Sequence, residues 1–329
     1  MLKKILFVTD NCDKEKEYSI KIRDSEGNKP LAKEEMIKAL KKISQEVYCT
    51  YSIEEANMYI IQFPDTFVVT TYYGEAAADS KSLIPAICKT NNIAYLGADP
   101  YTQMICNDKY LSKRYMEQFG LNYIPGKIIY CPNNEYELSE IKDLEYPLIV
   151  KPNFGGGSNG IMNYSLTSDY DETCKLVTEL YKYQNIPILV EKYIPGHEVS
   201  FIIIGNKNEI LFSGESMLVL DGKSNFSTEI FGLESKKISP NRKKYEPSHF
   251  IDEQTQKKMF DLFHSFDKCE FMRIDCRIDQ SGKVYILELS PDCYIGTNGA
   301  FYETVKRSHI SFDDMIAMLI KNSINNQKY

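Results

Sequence analysis

A tight turn near the C-terminus sets two carboxylates against each other and restricts how the chain around it can fold. Residues 271–280 and 283–290 read as strands, and Ser281-Gly282 suits a two-residue hairpin loop. Counting outward from that loop pairs Gln280 with Lys283, Asp275 with Glu288 and Arg273 with Ser290. Like charges directly opposite each other destabilise a ladder. The neighbours Ile274, Cys276, Ile278, Ile286, Leu287 and Leu289 are apolar enough to bury much of the hairpin, so the acids require a compensating cation. Two readings satisfy that need: a divalent metal held by hard oxygen ligands beside phosphates and water, or a structural ion network through Arg273 or Arg277.

A second constellation is Pro147-Leu148-Ile149-Val150-Lys151-Pro152-Asn153-Phe154-Gly155-Gly156-Gly157-Ser158-Asn159-Gly160. Its glycines match G-x-G-x-x-G, but a dinucleotide fingerprint runs from strand into helix, and here a strand is expected at residues 161–164. A P-loop is excluded as well, because Met217 stands five residues before Gly222-Lys223-Ser224. What remains is a strand-loop-strand flap. Its bare N–H groups at Gly156, Gly157 and Ser158 can approach a triphosphate, with Lys151 as a point charge at the root; the alternative is an ordinary flexible hairpin.

The 329 residues exceed one compact core and suit several subdomains. Residues 1–97 alternate strand and helix as an open α/β domain, with strands at 5–8 and 67–71 and helices at 31–43 and 80–90. A helix is expected over 101–119. A central α+β domain, 98–186, continues with strands at 127–130 and 146–151, a short helix at 138–144, the flap, and a helix capped by Ser168. The C-terminal domain, 187–329, is rich in antiparallel strands and ends in helices near 252–266 and 312–324. Residues 221–237 read as a long loop, a candidate lid in which Lys223, Lys236 or Lys237 reaches phosphates.

Net charge is −7 with Lys and Arg scattered, so the chain shows no footprint for nucleic acid or an anionic membrane. The apolar run at the N-terminus is too short for a signal peptide, and a cytoplasmic location is expected. Nine cysteines without C-x-x-C pairs and only four histidines argue against zinc and against a disulfide scaffold. Cys293 as a nucleophile lacks a histidine nearby in sequence.

Taken together in chain order, these segments resemble the ATP-grasp superfamily, in its D-alanine-D-alanine ligase branch. Residues 146–160 look like its lysine strand and phosphate flap, and residues 189–199 like its adenosine segment. Met272-Arg273-Ile274-Asp275 with Leu287-Glu288-Leu289-Ser290 resembles its metal hairpin, and Cys106-Asn107-Asp108-Lys109 the start of the helix carrying an earlier phosphate lysine. The resemblance implies an ATP-grasp fold and an ATP-dependent carboxylate-amine ligase working through an acyl phosphate. Lys109 and Lys151 would contact phosphates, the backbone around Glu191, Lys192, Tyr193 and Ile194 would hold adenine, and Glu198 would accept from the ribose hydroxyls. Asp275, Glu288 and Ser290 would hold Mg²⁺ or Mn²⁺, and Arg273 would act in catalysis on the reacting carboxyl. A homodimer is implied too. Ser290 stands where the family has asparagine, Gly299 where it has a serine for the acceptor, and the family's N-terminal glutamate and serine loop has no counterpart at 11–28. These departures predict an acid and an amine other than D-alanine. They also leave open a nucleotide-binding module without turnover, unless Asp292 supplies the oxygen that Ser290 lacks.

Overall fold

The computed structural model describes residues 2–11, 30–228, 230, 232 and 242–326. Lys236, Lys237 and nearly all of the 11–28 segment lie outside the described residues. Strands β1 (Leu2–Thr9), β2 (Ser44–Thr50) and β3 (Phe67–Thr71) form a parallel sheet in the order β2-β1-β3. Side chains alternate across β1, which splits its buried run between two cores. Ile5 and Phe7 pack with helix α1 (Pro30–Ile43), and Leu6 and Val8 with α2 (Ile53–Gln62) and α3 (Leu83–Thr90). The short β2 and α2 were not foreseen. Three of the seven β2 residues are exposed, so its apolar signal is weak.

Residues 101–119 are not one helix. They form α4 (Pro100–Asn107) and α5 (Lys109–Glu117), separated at Asp108, whose extended backbone (ψ 102°) ends one helix while its carboxylate caps Leu111 N of the next. The break places Lys109 at the first position of α5, facing the flap. Further on, β4 (Gly126–Ile129) precedes α6 (Glu135–Ser139) and a single 3₁₀ turn, Glu140–Asp143, in place of one short helix. Strand β5 (Leu148–Pro152) pairs with β6 (Leu166–Thr167); the strand expected at 161–164 is instead the turn Asn163–Ser165 followed by β6. Asp169, not Ser168, caps α7 (Tyr170–Gln184).

Strand β7 (Ile188–Lys192) lies between β4 and β5, giving a four-stranded central sheet β4-β7-β5-β6 covered by Leu176, Val177 and Leu180 of α7. The large sheet has the order β11-β9-β8-β12-β13: β8 (Gly196–Gly205), β9 (Ile210–Leu220), β11 (Lys243–Pro247), β12 (Phe271–Ile278) and β13 (Val284–Ser290), with β10 (Asn225–Phe226) on the start of β8. Helix α8 (Glu253–His264) buries Met259, Leu262 and Phe263 in the core under β12 and β13. Helices α9 (Ala300–Val305) and α10 (Phe312–Asn326) return to the first sheet, where Met315, Ile316 and Leu319 join Ile5 and Phe7. Among the described residues no helix is long and apolar enough to cross a membrane.

The β12-β13 hairpin reaches the expected pairing by a different route. Its last pair is Ile278 with Val284, so the connection is five residues long rather than two. Asp279 Oδ1 accepts from the N–H groups of Ser281 and Lys283 and organises the turn. A bulge between Cys276 and Asp275 leaves Leu287 as an extra residue on β13, which restores Asp275 opposite Glu288 and Arg273 opposite Ser290. The bulge also turns both Leu287 and Glu288 toward the cavity described next, while Ile286 and Leu289 remain in the core.

Candidate active site

The central and large sheets enclose a cavity of about 690 Å³. That lies within the range typical of small-molecule sites. Lys109, Lys151, Gly156, Gly157, Ser158, Glu191, Lys192, Tyr193, Ile194, Glu198, Arg273, Asp275, Glu288 and Ser290 all line it, whereas Lys223 of the candidate lid does not.

At one end lie the flap and its lysines. Gly155, Gly157, Ser158 and Gly160 all have positive φ, so the loop is a series of turns with N–H groups turned out of any ladder. At Gly160 a Cβ would come 2.6 Å from Pro152 Cγ, which excludes a side chain there. Two buried asparagines that the sequence reading passed over anchor the root. Asn153 Oδ1 accepts from Tyr110 N at 2.9 Å and its Nδ2 donates to Asp108 at 2.8 Å, while its backbone oxygen accepts from Lys109 N. Asn107 accepts from Gly155 N at 3.0 Å and donates to Ala77 O at 2.7 Å. An asparagine beside a proline or in a helix cap looks like ordinary punctuation, so neither announced itself. Lys109 Nζ donates to Gly155 O, and Lys151 Nζ pairs with Glu191.

The Glu191 side chain is 1% exposed and sits between Lys151 and Lys113, the latter at 3.0 Å. Burial pushes the Glu191 carboxyl up, yet the two lysines outweigh it and hold the group below the usual carboxylate range. Only its backbone is left for a base, beside the half-exposed Lys192 and the buried Tyr193 and Ile194. Glu198 lies 3.2 Å from Arg277 Nη2, and burial raises its pKa despite that cation.

On the wall formed by β12 and β13, Asp275 and Glu288 face each other, and both cations foreseen for a structural network are engaged. Arg277 meets Glu198, and Arg273 grips Asp275, with Nε at 2.8 and 3.0 Å from its two oxygens and Nη2 at 2.8 Å. Ser200 Oγ donates to Asp275 at 2.8 Å. Arg273 is thus held by Asp275 while lining the cavity. Glu288 is half-buried and receives no hydrogen bond or ion pair among the described residues. Asp292, the other oxygen source considered, is committed elsewhere, with Oδ2 2.8 Å from Lys81 Nζ. Cys293 is buried and its thiol is pushed far up by burial, so it is no nucleophile.

These residues fit a divalent cation brought with phosphate. Three donors reach Asp275 against about four lone-pair positions on a carboxylate. Because Arg273 Nε reaches both Asp275 oxygens, the oxygens without a hydrogen bond among the described residues are the two of Glu288, beside the Ser290 hydroxyl opposite Arg273. Among the described residues no group of three or more His, Cys, Asp or Glu could hold a metal alone, so phosphate and water oxygens must complete the shell.

A nucleotide-sized cavity between two antiparallel sheets, roofed by a glycine flap with buried lysines and floored by facing acids, defines an ATP-grasp carboxylate-amine ligase: an ATP-dependent, ADP-forming enzyme that makes C–N bonds. Residues 116–321 match the family model described as D-ala D-ala ligase C-terminus, and the chain belongs to that family. It is 24% identical over 261 residues to the D-alanine–D-alanine ligase of Clostridium beijerinckii, covering 78% of this chain and 81% of the relative. The structure of D-alanine–D-alanine ligase from Bacillus anthracis complexed with ATP superposes with a TM-score of 0.74 at 16% identity, covering 100% of this chain and 99% of that one. The VanG D-Ala:D-Ser ligase of Enterococcus faecalis gives 0.70 at 16% identity, with coverage of 98% and 100%. A nucleotide-binding module without turnover finds no support here.

Proposed function

We propose that ATP lies along this cavity with adenine at residues 191–194, ribose at Glu198, and phosphates between the flap, Lys109 and Lys151. Asp275, Glu288 and Ser290 would hold Mg²⁺, or Mn²⁺, against the phosphates. The observation that carries this reading is Glu288, a half-buried acid facing another acid and making no ion pair among the described residues, with the nearby Arg273 guanidinium already bound to Asp275. When bound, the metal neutralises charge on the transferring phosphoryl group. The chain's own contribution is positioning: lysines at one end of the triphosphate, acids at the other, and Arg273 fixing Asp275. A carboxylate oxygen of the acid attacks the γ-phosphorus, and the bond to the ADP oxygen breaks. An amine then adds to the acyl phosphate and phosphate leaves with that carboxylate oxygen.

Both substrates are small molecules with amino-acid chemistry. The expectation that they differ from D-alanine gains nothing from the comparisons, since the relatives are named for D-alanine, and D-alanine heads the compounds to test. What favours another acceptor is local. A Cβ at Gly299 would lie 2.6 Å from Tyr294 Cδ1, so the Tyr294 ring takes the space that a serine there needs. Burial pushes the Tyr294 hydroxyl up to about 12, and it donates to Asn298 at 2.8 Å.

We also propose three domains at 1–97, 98–186 and 187–329, the first strand of the third, β7, completing the sheet of the second by pairing with β4 and β5. A cytoplasmic homodimer completes the reading. The test is ADP release with D-alanine alone and with pairs of small amino acids, the product being weighed by mass spectrometry. Release that depends on both an acid and an amine, with a condensed product, supports it; ADP formed with no condensed product in any pairing refutes it.

A further inference from the structure

Lys113 lies one turn beyond Lys109 on α5 and, at 2% exposure, is as deeply buried as any cation among the described residues. It does not line the cavity. Its Nζ is 3.0 Å from Glu191 Oε2, while the other oxygen of the same carboxylate takes Lys151. Burial pulls its pKa down, as do Lys151 and Lys109, and only Glu191 opposes them. A buried lysine facing two other lysines is an expensive arrangement for simple packing, which a methionine could provide.

Charge counting gives it a purpose. Lys151 and Glu191 by themselves make a neutral pair where phosphate charge is to be met, whereas Lys113, Glu191 and Lys151 together carry one net positive charge. We propose that Lys113 is a positioning residue for nucleotide binding: by holding Oε2 of Glu191, it leaves Lys151 effectively cationic toward the cavity. The inference rests on the nucleotide reading above.

The test is calorimetric titration of ATP with Mg²⁺ into the full chain, comparing wild type, Lys113→Met, Lys113→Arg and the double variant Lys113→Met/Glu191→Gln. Removing a unit charge several ångströms from the phosphates at an intermediate dielectric should weaken binding roughly tenfold or more. Lys113→Arg keeps the charge and should retain most of the affinity. The double variant leaves Lys151 unpaired and positive, so it should bind within about threefold of wild type, a recovery that repair of packing alone does not give. Equal affinity of Lys113→Met and wild type overturns the proposal, and so does a double variant more than about tenfold weaker than wild type. The double variant decides the matter even where Lys113→Met fails to fold. If wild type itself shows no binding, the nucleotide reading fails instead, which separates the two failures.

Discussion

Glu288→Gln should move stability and activity in opposite directions, and the structure supplies both signs. Asp275 and Glu288 are directly opposed across the ladder. Two unit charges about 5 Å apart repel by about 3 kcal/mol at an effective dielectric near 20. Arg273 neutralises most of the Asp275 charge and Glu288 is only half-buried, so the remaining repulsion falls to the 0.2–1 kcal/mol typical of like-charged cross-strand pairs, roughly. Glutamine keeps the shape and removes that term. In metal-free buffer the thermal midpoint should therefore stay level or rise by about 1–3 °C. With substrates and Mg²⁺, the lost ligand should lower the rate at least about a hundredfold, or roughly 3 kcal/mol in the barrier. Differential scanning fluorimetry and coupled ADP release on the same preparation give both values. A lower midpoint with unchanged turnover would show Glu288 to be a structural ion partner and refute the reasoning.

Other outcomes follow from the same contacts. Asn153→Ala removes side-chain bonds to Tyr110 N and Asp108 at a fully buried position and should cost about 2–3 kcal/mol in urea unfolding while raising KM for ATP. Ser290→Asn lengthens the oxygen ligand opposite Arg273 and should lower the Mg²⁺ concentration at half-maximal rate, read from a metal titration of ADP release. The Glu191 carboxyl is held below its ordinary value, so its stabilising share is complete above the unfolded value near 4.5 and is lost as pH falls through the folded value. Lys113→Met weakens that hold. The acid-side fall in urea midpoint should then begin at higher pH in the variant than in wild type.

How much of this was legible in the sequence depended on whether the signal was periodic or positional. Buried runs such as Ile5–Val8 and the alternation in 271–290 carried strands directly, and motif order carried the lysines, the flap and the facing acids. The acids were paired correctly although the loop was misjudged, because the unforeseen bulge at Leu287 offsets the longer turn built by Asp279. No period marks a bulge. The Asp108 break left no mark on the periodicity either, since a capping aspartate inside a continuous helical pattern resembles any surface acid; only the likeness of 106–109 to a helix start pointed to it. Strand β11 and helix α9 are too short for periodicity, yet they bring Tyr245 and Glu303 to the cavity wall. Within the helical pattern of 101–119 Lys113 looks like any other helical lysine; only its contact with Glu191 sets it apart.

The most direct measurement follows an oxygen atom. With the acid substrate labelled by ¹⁸O in its carboxylate, an acyl phosphate route sends one label into the phosphate released with each amide bond. Mass spectrometry of that phosphate should show a single ¹⁸O in step with ADP. Product formed with wholly unlabelled phosphate would mean that the carboxylate never attacks the γ-phosphorus, and would contradict the reaction assigned to this cavity.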